Sequence, residues 1–399
     1  MKTVADLPVV DIDDEAFWQD VYPALHEARS ISPVGVTPGG LLYVLGFDEV
    51  DGVLKDKRFG AFDQLALMGV TSGRVWEWWQ RVMFSNNDPV HGRLRKLVNR
   101  AFTPPQIERK REVMGRIAEG VVADAVAKGS VDVMETMAHE LPSRVMAALL
   151  AIPEVDREQF AGWTTDIGLA FGAATDLVVW RRVEDALLSL DDYVAALIEQ
   201  RRGKAGDDLL SELIAAEESG DRLSTQELID LVENLLFAGH DTTRGAAGVL
   251  LRMIAVHPEM LALARSDDGA VKVMVEEVLR YEAIAFSTCR SANRAADVAG
   301  IVEVEAGTPV ALCLPAACRD PRRYADPDRF DIRRVAPQAA FGAGAHYCIG
   351  AWLTRAELQE LLRAVARSIG AATVEVEPRW VPYAQIRRYE ALPMSFEAA

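Results

Sequence analysis

The chain of 399 residues carries only four cysteines, Cys289, Cys313, Cys318 and Cys348. Scattered through so long a chain, they do not form a disulfide framework and must be explained one thiol at a time. Positive charge is scarce too: 43 Lys and Arg stand against 60 Asp and Glu, a net charge of −17. That balance argues against a nucleic-acid binder, because phosphate contacts need a surplus of cations, and it suits a protein that resists self-association. Long apolar runs are missing. The first residues, Met-Lys-Thr-Val-Ala-Asp-Leu-Pro, hold no continuous apolar stretch and turn acidic at Asp11, Asp13, Asp14 and Glu15, so no signal peptide is expected. The longest stretch without Asp, Glu, Lys or Arg covers 335–354, but Pro337, Gln338, Gly342, Gly344, His346 and Gly350 interrupt it. A buried loop leading into a helix is expected there, not a membrane span. Internal repeats, low-complexity tracts and linker-like boundaries are absent as well. A reducing cytosol, with no membrane anchor and no nucleic-acid partner, is the expected setting.

Half of the residues are apolar, enough for a large core. Val34-Gly-Val and Leu41-Leu-Tyr-Val-Leu look like short strands around a Pro38-Gly-Gly turn. From Asp48 to about Gly269 apolar residues recur at helical spacing. Strand-like segments return at Ile301 to Val304, Pro309 to Leu314, Thr373 to Val376 and Leu392 to Phe396. The expected fold is mainly α with small β-sheets, an α+β chain whose two ends meet in one interwoven domain over 1–399. Its helix-rich core lies at about 85–290 and 340–370, and its β-rich parts at about 30–60, 300–315 and 373–396.

The longest helix starts at a capping box, Ser224-Thr-Gln-Glu227, and its periodicity runs to about Val256 before Pro258. Thirty-odd residues make a rod of roughly 45–50 Å, enough to cross the domain. Leu228, Leu231, Leu235, Leu236 and Phe237 make it apolar on nearly all faces, so it is expected to be buried. Yet its middle reads Ala238-Gly-His-Asp-Thr-Thr243. A glycine and a carboxylate inside a buried helix are costly and demand a reason.

The segment Phe341-Gly-Ala-Gly-Ala-His-Tyr-Cys-Ile-Gly350 ends where a helical pattern begins at Ala351. Its glycines permit a tight turn that approaches a flat object closely. Cys348 then stands before a helix N-terminus, whose free amides lower a thiol's pKa and hydrogen-bond a thiolate. A buried, inert cysteine is the alternative, and it is the reading adopted for Cys313 and Cys318. The pattern Phe-x-Gly-x-x-His-x-Cys-x-Gly resembles the haem-binding loop of the cytochrome P-450 superfamily. Other segments agree in order: Asp88-Pro-Val-His-Gly-Arg-Leu-Arg95, Ala238-Gly-His-Asp-Thr242, Glu277-Val-Leu-Arg280 and Asp326-Pro-Asp-Arg-Phe330. The resemblance extends from about Pro33 to Phe396 and is closest to the bacterial soluble members.

The resemblance implies a P-450 fold with the long helix crossing over haem b, and Cys348 as the iron ligand. His91, Arg95, Arg290 and His346 fall where the family places its propionate partners, and a buried dianion needs such cations. Phe341, Gly342 and Gly350 shape the loop, while Ala238 and Gly239 leave room for a ligand over the iron. Asp241 and Thr242 match the family's acid–alcohol pair: the hydroxyl holds water and donates to bound O2 while the carboxylate relays protons. A threonine bonded back to its own helix, with Asp241 paired to an arginine, is the structural alternative. Glu277 and Arg280 share a helix face and, with Arg329, are expected to form a structural network under the cysteine loop.

For the substrate, the family's cavity-lining regions contain Met68, Val70, Trp79, Met83, Phe171, Ile284 and Phe286, which suggests an apolar, medium-sized organic molecule. Trp76, Trp79 and Met83 share a helical face that equally suits core packing. Arg74 and Arg81 offer a carboxylate anchor, and Glu390 a carboxylate facing the pocket. Electrons, drawn ultimately from NAD(P)H, would come from an iron–sulfur ferredoxin or flavin protein docking near the basic stretch 93–111, where Arg93, Arg95, Lys96, Arg100, Arg109, Lys110 and Arg111 outnumber Glu108. An ordinary solvated face is the alternative. The leading expectation is an O2-dependent monooxygenase that hydroxylates or epoxidises. Coupling, desaturation or peroxygenation at the same haem is a second possibility, and a haem-binding protein without turnover a third. A zinc site on His346 and Cys348 lacks a second ligand pair.

Overall fold

The computed structural model describes residues 1–171, 177–204, 206, 208–218 and 223–399. The long helix spans Thr225–Val256 and begins as the sequence requires: Ser224 Oγ accepts from the Glu227 amide at 3.2 Å, and the Ser224 amide donates to the Glu227 carboxylate at 2.9 Å. It is buried around almost its whole circumference, because helices Glu140–Leu150, Arg157–Gly168, Leu177–Arg201, Asp268–Tyr281 and Ala351–Ser368 all pack on it. The Ala351–Ser368 helix also lies along the Pro104–Lys128 helix, so the segment after Cys348 is wedged between two long rods.

The strands are β1 (Val34–Val36), β2 (Leu42–Val44), β3 (Phe59–Gly60), β4 (Ser130–Asp132), β5 (Ser287–Ala292), β6 (Ala296–Val298), β7 (Val302–Val304), β8 (Pro309–Cys313), β9 (Ile369–Val374) and β10 (Pro393–Ala398). A five-stranded sheet runs β1-β2-β8-β5-β3, a three-stranded sheet β4-β10-β9, and β6 pairs with β7. In the first, β2 lies parallel to β8, with Tyr43 opposite Ala311, and β5 is antiparallel to β8, with Arg290 opposite Val310. N-terminal and C-terminal strands thus share sheets with the middle of the chain. The mainly helical, interwoven architecture with small sheets is the one expected, although β3 and β4 interrupt a stretch whose periodicity reads as helix.

One expected helix face is corrected. The Arg74–Arg81 helix buries Val75, Trp78 and Trp79, the i, i+3, i+4 set, and leaves Trp76 half-exposed. Val82 breaks the helix with an extended backbone (ψ 150°), so Met83 belongs to a separate turn and does not continue a face with Trp76 and Trp79.

Candidate active site around Cys348

The cysteine loop is built from its glycines. Gly342 and Gly344 sit at φ +67° and +69°, a region costly for any side chain. A Cβ on Gly344 would lie 2.2 Å from the Leu54 carbonyl oxygen, so this loop can press against the Phe47–Lys55 helix only as glycine. The Cys348 amide returns to the Phe341 carbonyl at 3.0 Å and closes the loop, and Gly350 caps the Ala351–Ser368 helix. Burial pushes the Cys348 thiol up. The Gly350 and Ala351 amides, with Arg95 and Arg355, pull it the other way without prevailing. The helix start therefore lowers the thiol's pKa as expected but is outweighed by the dry surroundings. The Arg355 guanidinium lies 4.5 Å from the centre of the Phe341 ring and holds that ring beside the loop.

Cys348, Phe341, Gly342, His346 and Gly350 line one wall of a largely apolar cavity; Leu235, Ala238, Gly239, Thr242, Thr243 and Ala246 of the long helix line the opposite one. Their spacing of three or four residues turns a single helix stripe toward the thiol. Leu54, Phe102, Met146, Leu314 and Leu353 close the sides. Sequence reasoning missed these five, since an apolar side chain carries no mark that separates cavity lining from core. The middle of the long helix also differs in detail from expectation. A Cβ at Gly239 would meet the Met146 sulfur at 2.6 Å, so the glycine admits Met146, itself a lining residue, and does not simply leave free space.

At the cavity's edge four basic side chains gather with little acid to offset them. The His91 and His346 rings lie 4.0 Å apart, and Arg95 reaches the Tyr347 carbonyl. Arg290 spends its donors on Thr288 and the Cys289 carbonyl. Burial, followed by Arg290, His91 and Arg95, drives the His346 pKa down to about 3, and burial brings Arg290 to about 10. Among the described residues the carboxylate near them is Asp88, which is exposed and stands 3.8 Å from His91. The two arginines meet no carboxylate among the described residues, and the two imidazoles, held neutral, can donate N–H, so this rim suits an anion such as the two propionates of a haem. The residues present fit a haem.

Asp241 and Thr242 do not meet each other here. Thr242 lines the cavity and donates to the Ala238 carbonyl at 2.8 Å, while Asp241 is buried behind it and pairs with Arg388 at 3.0 Å. This is the structural alternative named for the pair. Burial raises the Asp241 pKa, Arg388 lowers it, and Oδ1 has no hydrogen-bond partner among the described residues.

The network beneath the loop needs one correction. Arg280 grips Glu277 through Nε and Nη2 at 2.7 and 2.9 Å and also donates to the Cys318 and Pro327 carbonyls. The second arginine on Glu277 is Arg334, at 3.2 Å, not Arg329. Arg329 points outward to Asp331 and offers the network only its carbonyl.

Of the expected pocket residues, Ile284 alone lines the cysteine cavity. Phe171 lines a second cavity beside it. Phe286 is buried among Phe17, Trp18 and Tyr43, because β5 turns it to the N-terminal side of the sheet. Trp79 packs on Phe84 and Phe171, Met83 is core, and Met68 and Val70 stand outside the cavity. Arg74 and Arg81 cannot anchor a ligand: Arg74 pairs with Asp191, Asp230 and Glu233, and Arg81 with Asp230. Glu390 is exposed and lines neither cavity. In the basic stretch, Arg93 pairs with Glu227, Arg95 turns inward, and Arg111 pairs with Glu108 and Glu360. Lys96, Arg100 and Arg109 are exposed and Lys110 is half-buried, so the surface patch is smaller than the sequence suggests.

A lone thiol facing the middle of a buried helix, across a slot rimmed by cations, defines a protein that seats a flat anionic group between a cysteine loop and a helix. The cytochrome P450 family model matches residues 175–267 and 270–368. The chain is 36% identical over 406 residues to the cytochrome P450 monooxygenase PikC of Streptomyces venezuelae, covering 98% of this chain and 95% of that one. It is also similar to the solved structure of CalO2 (TM-score 0.91, 29% identity, 98% and 99% of the two chains). A third likeness is to P450BioI, solved in complex with hexadec-9Z-enoic acid ligated acyl carrier protein (TM-score 0.90, 29% identity, 96% and 100%). The chain belongs to the cytochrome P450 family. It is a P450 oxidoreductase of the bacterial monooxygenase group, a family whose cofactor is haem and whose oxidant is O2. Among the described residues no single helix is long and apolar enough to cross a membrane.

Proposed function

We propose that this P450 inserts one oxygen atom of O2 into a C–H or C=C bond of an apolar organic substrate, with Cys348 as the thiolate ligand of haem b. Bound haem supplies the iron at which dioxygen is reduced and split. The observation that carries the reading is the placement of the Cys348 thiol opposite Ala238, Gly239 and Thr242, with His91, Arg95, Arg290 and His346 at the rim. In this reading Arg95 and Arg290 hold the propionates with the neutral His91 and His346 as further donors, and Phe341, stacked under Arg355, keeps the thiolate dry.

The remaining chemistry is proton traffic. Burial makes Asp241 a better proton acceptor than an exposed aspartate, and its free Oδ1 is the atom that takes the proton up. To serve the cavity, the Thr242 hydroxyl must turn from the Ala238 carbonyl toward it, a rotation about one side-chain bond. Electrons come, in this proposal, from a ferredoxin and its NAD(P)H-dependent reductase, or from a flavin protein, guided by Lys96, Arg100 and Arg109. The four free thiols suit the cytoplasm.

The test is spectroscopic. Reduced protein under carbon monoxide is expected to show the strongly red-shifted Soret band of thiolate ligation, and Cys348→Ser to abolish it. A variant spectrum identical to the wild type would overturn the reading. With the band in place, a panel of apolar compounds is expected to displace the axial water and shift the spin state.

A further inference from the structure

Beside the cysteine cavity lies a second one, of about 260 Å³, formed by Gly168, Leu169, Phe171 and Val179 on one side and the segment from Val381 to Arg388 on the other. Among the described residues its lining is apolar apart from the Tyr383 hydroxyl, the Gln385 side-chain amide and one charged residue, Arg388. The Tyr383 hydroxyl is turned to the Asp13 carbonyl at 3.3 Å, and the Gln385 carbonyl oxygen accepts from Ser287 at 2.8 Å. Arg388 gives Nη1 to Asp241, its only acidic partner among the described residues. A guanidinium offers five N–H donors in a fixed fork, so one carboxylate oxygen leaves most of them unused. Gly168 shapes the same corner: a Cβ there would approach the Asp241 carboxylate to 2.9 Å.

The two cavities share a thin wall. Ala285 lines the cysteine cavity, Ile386 lines the second, and these residues form a β-bridge. Asp241, on the Arg388 side, immediately precedes Thr242 on the thiol side. A lone arginine at the end of an apolar cavity, with donors to spare, is suited to a carboxylate carried on an apolar body.

We propose, resting on the reading above, that Arg388 anchors the carboxylate end of an apolar substrate in the second cavity, with its chain running past Leu169, Phe171 and Ile386 toward the cysteine cavity at Ala285. Because the same guanidinium also holds Asp241, the incoming carboxylate competes with Asp241 for it.

Dodecanoate and methyl dodecanoate are the probes, with the haem-loaded enzyme studied by calorimetry and by the Soret spin shift. Wild type is expected to bind the acid about tenfold or more tightly than the ester, the worth of one charge-assisted bond. Arg388→Gln is expected to erase that preference and Arg388→Lys to keep part of it. Asp241→Asn, which removes the competitor, is expected to tighten the acid several-fold. Equal binding of acid and ester by wild type, or a preference that survives in Arg388→Gln, would overturn the anchor. An unchanged acid affinity in Asp241→Asn would overturn the competition, and acid binding without a spin shift would overturn the substrate role. Each variant is first checked for the thiolate Soret band under carbon monoxide. Loss of that band in wild type is a failure of the haem reading, and loss of acid preference with the band intact is a failure of this inference alone.

Discussion

Glu277 is 1% exposed and carries Arg280 and Arg334 on its carboxylate, whereas Arg329, two-thirds exposed, meets only Asp331 at the surface. Breaking a buried pair leaves a charge uncovered and costs ~3–5 kcal/mol, while surface changes stay within ~0.5 kcal/mol. Because Arg280 still covers Glu277, Arg334→Ala is expected to lower unfolding stability by about 2 kcal/mol in urea, and Arg329→Ala to leave it nearly unchanged. Equal losses would show the network to be assigned to the wrong residue. His240 gives a second prediction. It is fully buried against the His139 ring at 4.8 Å, and burial, then His139, holds its pKa well below 6.5. Below pH 6.5 the unfolded histidine takes a proton that the folded one refuses, so the folded state loses stability as pH falls. The slope is about 1.4 kcal/mol per pH unit for one such group. His240→Gln is expected to flatten the urea-midpoint profile below pH 6.5 by that amount, and a parallel profile would sink the assignment. At this scale Cys348, His346 and the loop glycines were legible because their chemistry is particular: a thiol before a helix, and glycines where φ is positive. Phe286 and Trp79 were not, since an aromatic residue looks the same in sequence whether it lines a cavity or fills a core. Spacing alone could not choose Arg334 over Arg329, which depends on how the loop from Ala325 folds back. Arg388 left no signal that set it apart from its neighbour Arg387 or from Arg379 in the same charged C-terminal segment.

Among elements, the Thr225–Val256 helix was the most legible, because a capping box, a sustained period and a terminating proline all agree. Strands β3 and β4 went unseen because two or three residues cannot establish a period, and their pairing is imposed by distant partners. The Arg74–Arg81 helix shows what periodicity cannot reveal, namely what holds an element down. Its Arg74 is the cation among Asp191, Asp230 and Glu233, contributed by two other helices, and its amide also donates to Glu184. Among the described residues neither Glu233 carboxyl oxygen has a hydrogen-bond donor, and burial, followed by nearby Asp191, raises its pKa well above the usual range. Without Arg74 three carboxyl groups face one another, and the helix is left with the Arg81–Asp230 pair, the Gln80–Asp63 bond, the residue 74 amide on Glu184 and the packing of Val75, Trp78 and Trp79. Arg74→Ala is accordingly expected to speed amide exchange across 74–81 by tenfold or more while exchange in the Ala351–Ser368 helix stays unchanged. A uniform increase over the chain would show Arg74 to stabilise the whole fold and not this element.

Over the whole molecule, charge is distributed against its own average. A chain of net charge −17 keeps Arg95 and Arg290 at the cavity rim and exposes Lys96, Arg100 and Arg109 around the adjoining helix start. The Val90–Asn99 helix joins the two sets, since Arg95 turns inward to Tyr347 while Lys96, the next residue, faces solvent. The same short helix therefore touches the cysteine loop and presents a positive surface near it. On a chain of net negative charge, the proposed docking of an acidic electron donor is expected to draw on this surface for the rate and geometry of encounter. Exposed charges of this kind act through long-range attraction, which salt screens over ~8–10 Å at physiological strength. The double variant Arg100→Glu, Arg109→Glu is expected to slow reduction by an acidic ferredoxin by at least about tenfold at low salt, with the gap narrowing as salt rises. Its dithionite-reduced carbon monoxide spectrum is expected to match the wild type, because neither residue lines the cavity. Stopped-flow reduction across a salt series measures both effects. A rate that is unchanged at low salt, or a deficit that persists unaltered at high salt, would return Lys96, Arg100 and Arg109 to the role of ordinary solvated side chains.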